Sequence, residues 1–88
     1  MKYILKVELD QTVEELQGSQ SIVNEMDYNT QVECLGAVKG TIAFWFKDRP
    51  VKAFMTINKH QDNIDNKTNF PCEYYSIDIE TLELTKIN

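Results

Sequence analysis

Apolar and polar positions alternate through residues 2–9, with Tyr3, Leu5, Val7 and Leu9 on one side and Lys6 and Glu8 on the other. That is the pattern of a half-buried β-strand. The period then changes. Thr12 followed by Glu15 reads as a capping box, in which the hydroxyl accepts a free backbone N–H and the carboxylate reaches back to the cap. Val13, Leu16, Val23 and Met26 fall on one broad helical stripe, so the spacing predicts a helix over 12–27. Gly18 and Ser19 interrupt it, because an interior glycine costs about 1 kcal/mol relative to alanine.

From residue 30 onward the pattern reads as β. Strands are expected over 31–38, 41–47 and 51–58, joined by turns at Lys39-Gly40 and at Asp48-Arg49-Pro50, as a three-stranded meander. Residues 59–70 are polar and rich in Asn and Asp, which predicts a long loop. Residues 73–87 divide at Glu80-Thr81 into two short strands. The expected fold class is α+β, a single domain over 1–88 with one N-terminal helix packed on a single antiparallel sheet of about five to six strands.

Parity constrains the central hairpin. If Lys47 opposes Lys52, then Phe46, Phe44 and Ile42 oppose Ala53, Met55 and Ile57, and one face becomes wholly apolar. A slip of one residue would put Phe44 and Phe46 on the face of Lys52 and Thr56. The favoured register places Trp45 directly across from Phe54 on the reverse face, with Lys47, Arg49 and Lys52 at the hairpin end. A helix on the apolar face would leave that aromatic pair outward, as a binding surface anchored by Trp45 and Phe54.

Composition narrows the class. The chain has 88 residues, 42% hydrophobic and 26% charged, with few Gly, Pro and Cys, which argues against collagen, a wholly disordered chain or a disulfide-dense scaffold. So small a fold buries only about 60–65% of its unfolded surface, and a large internal active-site cavity is not expected. Lys6 and Glu8 break the early apolar run, and no stretch is long and apolar enough to span a bilayer, so the expectation is a soluble cytoplasmic protein with no membrane role. There Cys34 and Cys72 would be reduced. Lysine and asparagine are abundant and arginine rare, a composition that resembles products of AT-rich genomes, including viruses and mobile elements of low-GC bacteria.

Charge is unevenly spread over the net −5. Residues 1–35 carry net −5, residues 36–60 net +4 and residues 61–88 net −4. The basic, aromatic middle is what a single-stranded nucleic-acid platform uses, although the overall negative field repels a polyanion. The acidic parts offer the opposite surface. Glu14, Glu15, Glu25 and Asp27 could sit in a basic groove of another protein.

Catalytic signals are weak. His60 is the only histidine and could serve a thiol at Cys34 or Cys72, but no local motif joins them. No cofactor motif is visible, two cysteines and one histidine make a poor zinc set, and the Asp62–Asn66 stretch lacks the glycine and terminal glutamate of an EF-hand. The expectation is a non-enzymatic protein that works by stoichiometric binding to a protein partner, as an inhibitor or adaptor. The alternatives are a single-stranded nucleic-acid module built on the basic aromatic hairpin and a small enzyme or subunit with a thiol site. Dimerisation through a free sheet face or an unpaired edge strand is compatible with the same pattern.

Overall fold

The computed structural model describes residues 2–13, 23–47, 49–58 and 72–87. Strands β1 (Lys2–Leu9), β2 (Val23–Tyr28), β3 (Val51–Asn58), β4 (Cys72–Ile77) and β5 (Leu84–Lys86) form one antiparallel sheet in the order β2-β1-β3-β4-β5. Between β2 and β3 runs a helical segment: α1 (Gln31–Gly36), α2 (Val38–Thr41) and a π turn (Ile42–Phe46). The α+β class therefore holds, with five strands among the described residues, but the described helix is mid-chain and not N-terminal.

Register sorts the side chains cleanly. One row across the sheet runs Met26, Leu5, Met55, Tyr75, Lys86, and the next runs Glu25, Lys6, Phe54, Ser76, Thr85 on the opposite face. The first face lies under the helix. Leu5, Val7, Met55, Cys34, Val38 and Phe46 are fully buried and form one cluster with Leu9, Val51, Ala53 and Ile77. The parity expected for residues 51–58 is thus observed, with Ala53 and Met55 inward and Phe54 outward.

Residues 31–38 and 41–47, expected as strands, are helical. Their Val, Ile, Phe and Trp content suits a sheet, but Cys34, Val38, Ile42 and Phe46 recur every four residues, a spacing that lines a helix. At 3.6 residues per turn each such step drifts by about 40° around the axis. The π turn takes more residues per turn and rotates the stripe back, so Phe46 returns to the buried side; Lys47 N–H accordingly donates to Ile42 C=O at 3.0 Å. Thr30 starts the segment. Its hydroxyl accepts from Glu33 N–H at 3.1 Å, as an N-cap does, and donates to the Glu33 carboxylate at 2.9 Å.

The helix expected over 12–27 is also overturned where it is described. Residues 23–28 are strand β2, paired along β1 with Met26 opposite Leu5. Thr12 lies in a turn where its N–H and hydroxyl donate to the Asp10 carboxylate, and its expected partner Glu15 is outside the described residues. Residues 14–22 and the expected loop at 59–70 lie outside the described residues. The division of the last stretch at Glu80-Thr81 agrees with the β4–β5 hairpin, whose Asp78 carboxylate accepts from Glu80 N–H and Thr81 N–H at 2.9 and 3.1 Å.

Truncating the two ends of the helical stripe should separate packing from capping. Phe46→Ala is expected to lower stability in urea unfolding by about 3–5 kcal/mol, and Thr30→Ala by about 1 kcal/mol.

Candidate functional site

The π turn places what the stripe does not bury. With Ile42 and Phe46 turned to the sheet, Phe44 and Trp45 must point away, and they are 72% and 54% exposed. They pack on each other edge to face, with ring centroids 5.1 Å apart and planes at 78°. Two large rings held together in water on a rigid, deeply anchored turn form an aromatic knuckle. The bordering chain is basic. Lys47 ends the helix in the left-handed conformation, at φ 49° and ψ 51°. Arg49 N–H and Arg49 Nε–H both donate to Phe46 C=O at 3.0 Å, which ties the chain down as it leaves the knuckle.

Left-handed backbone costs a non-glycine residue on the order of 1–2 kcal/mol. Lys47 occupies the position where helices ordinarily end in glycine, so a charged side chain sits where the cheapest residue has none. Strain of this kind concentrates at working surfaces.

The hairpin that would have joined Trp45 to Phe54 is absent, because β3 pairs with β1 and β4 instead. Trp45 belongs to the helical layer and Phe54 to the sheet face opposite the helix, so they form no cross-strand pair. The basic residues are divided in the same way. Lys47 and Arg49 stay beside Trp45 in the chain, whereas Lys52 shares the sheet face with Phe54 and pairs with Asp10 at 3.6 Å. Phe44, which the hairpin register would have buried, is the most exposed ring of the knuckle. The four-residue recurrence from Cys34 to Phe46 was the available signal for it.

Glu25 and Asp27 are exposed on β2 and share the face opposite the helix with Lys6 and Phe54. Lys6 stands between Glu25 and Phe54 in register and pairs with Glu8 at 3.4 Å. Beside Phe54 lies a shallow hollow of about 380 Å³, bordered by Lys6, Glu8, Glu25, Tyr74 and Ile87. Glu14 and Glu15 lie outside the described residues.

Electrostatics at the single sites has simple causes. Hydrogen bonds from the Thr12 side chain and backbone, aided by Lys52, hold the Asp10 carboxyl below its usual range. Backbone N–H groups of Glu80 and Thr81 do the same for Asp78. Burial pushes the Cys34 thiol up to about 11. Cys34 therefore behaves as a core residue under the helix, while Cys72 is half-buried at the start of β4 and its register neighbours place it on the opposite sheet face. His60 lies outside the described residues, and among the described residues no group of His, Cys, Asp and Glu is arranged to hold a metal ion. No helix among them is long and apolar enough to cross a membrane.

No protein-family model matches the chain, and neither characterised proteins nor solved structures provide a match.

Two measurements follow from this geometry. Because Cys34 titrates higher when folded, its contribution to stability is complete below pH about 9 and declines as pH rises toward about 11. Urea unfolding of wild type and Cys34→Ala across that range should show a pH-dependent loss in the wild type that the variant lacks, and a thiol reagent at pH 8 should modify Cys72 but not Cys34. Lys47→Gly is expected to raise unfolding stability by about 0.5–1 kcal/mol, since glycine accepts the left-handed conformation freely.

Proposed function

We propose that the chain acts by stoichiometric binding to another protein, as an inhibitor or adaptor rather than a catalyst, and that the Phe44–Trp45 knuckle is its contact. One observation carries this reading: two adjacent aromatic side chains, both more than half exposed, are presented together on a turn whose neighbour Phe46 is completely buried. Exposed aromatics ordinarily cost solubility and are retained where a partner covers them. Trp and Arg dominate interface hot spots, and Trp45 is flanked by Lys47 and Arg49. A pre-formed knuckle also loses little conformational entropy on binding.

A single-stranded nucleic acid is the weaker reading. It needs aromatic rings and unpaired cations along one strip, whereas Trp45 and Phe54 stand on different layers, and Lys6 and Lys52 of the sheet face are paired with Glu8 and Asp10. The exposed carboxylates of Glu25 and Asp27 on that face repel phosphate.

Affinity capture with wild type, Phe44→Ala/Trp45→Ala and Thr85→Ala, followed by titration of the captured protein, tests the assignment. Loss of about 2 kcal/mol or more of binding in the double variant, with Thr85→Ala unchanged, is expected. Equal recovery of the same partners by all three proteins excludes the knuckle as the site.

A further inference from the structure

The helical layer covers one face of the sheet, so the knuckle and the hollow beside Phe54 lie on opposite sides of the molecule. Ile42 and Ala43 border a groove with Ile79 and Glu80, just after β4. The knuckle end of the helix is therefore above the β4 side of the sheet, and it cannot reach the hollow of its own chain. The two surfaces nevertheless match. The knuckle offers two rings next to Lys47 and Arg49, both exposed. The hollow offers Phe54, Tyr74 and Ile87 for apolar contact and has Lys6, Glu8 and Glu25 on its rim, where Lys6 pairs with Glu8 at 3.4 Å and the balance of charge is negative. A volume of about 380 Å³ is of the size that receives a small group, and an aromatic side chain falls within it.

We propose that the chain self-associates head to tail, the Phe44–Trp45 knuckle of one copy seating in the Phe54 hollow of the next, with Lys47 and Arg49 facing Glu25. Charge selects this arrangement over the symmetric ones. Two knuckles face to face would set Lys47 and Arg49 against their own copies, and two hollows face to face would bring Glu25 toward its own copy with the lining Lys6 already paired with Glu8. A contact between unlike surfaces does not close on itself, so copies add in a row or a ring and each end leaves one surface free. The proposal rests on the reading of the knuckle as a contact surface and names a second copy as its occupant; a foreign partner would then compete with the neighbouring copy for the same rings.

Sedimentation velocity on the full chain over a concentration series, at low and high salt, tests it. The expected average mass rises past that of a dimer with concentration and falls back as salt screens the charges. Trp45→Glu destroys the knuckle and Glu25→Lys reverses the rim of the hollow. With circular dichroism showing both folded, each should raise the concentration required for association by about tenfold or more. Mixed in equal amounts they should pair one to one and stop, because each retains one intact surface. A wild type that stays monomeric throughout, a dimer that persists in both variants, or a mixture that stays monomeric overturns the proposal. Partner capture by Glu25→Lys separates the two readings: a monomeric chain that loses a foreign partner only when Trp45 is changed ends self-association and leaves the proposed function standing.

Discussion

Everything in this fold depends on one packing contact, between the stripe Cys34, Val38 and Phe46 of the helical segment and the row of Leu5, Val7 and Met55 beneath it. A single sheet with one apolar face has no other way to remove that face from water. The helical segment is the only helix among the described residues, so the contact sets its rotation about its own axis as well as its position. Rotation is what matters for function, since turning Phe46 inward turns Phe44 and Trp45 outward.

The π turn is the local cost of that contact. A regular helix would have carried Phe46 around toward solvent, and a shorter one would have left the β3 end of the core uncovered. Widening the last turn keeps the stripe straight, and the left-handed Lys47 then redirects the chain into Arg49 and Pro50, whose carbonyl accepts from Asp10 N–H at 3.0 Å. Anchorage and presentation are thus two outcomes of one geometry, which links the core to the surface read here as the contact site.

Charge is arranged by layer more than by sequence block. The basic middle of the chain divides when folded: Lys47 and Arg49 go with the helix end, and Lys52 goes to the sheet face, where Asp10 pairs with it. The acidic side chains of β2 fall on that same face, on an edge strand where charge also discourages unwanted strand pairing. The helix end thus carries Lys47 and Arg49 beside two rings, while the opposite sheet face sets Lys6 and Lys52, each paired with a carboxylate, among Glu25 and Asp27.

Strand β1, the alternation within β3 and the break at Glu80-Thr81 were determined by the sequence alone, because alternation with a period of two and turn-forming residues act over a few positions. The α+β class was right while its helix was misplaced: 23–27 of the expected helix is strand, and the observed helix lies at 31–46, where strands were expected. Residues 31–47 were not decidable that way, since their β-branched and aromatic content and their four-residue recurrence support different structures, and two Thr-x-x-Glu pairs compete to start a helix. Tertiary packing chose: β2 took up the edge of β1, and the cap at Thr30 begins the helix that covers the sheet. The separation of Trp45 from Phe54 was decided at that level too, because which strand lies beside β3 depends on the closure of β1 over a long stretch of chain, and no short-range pattern encodes it.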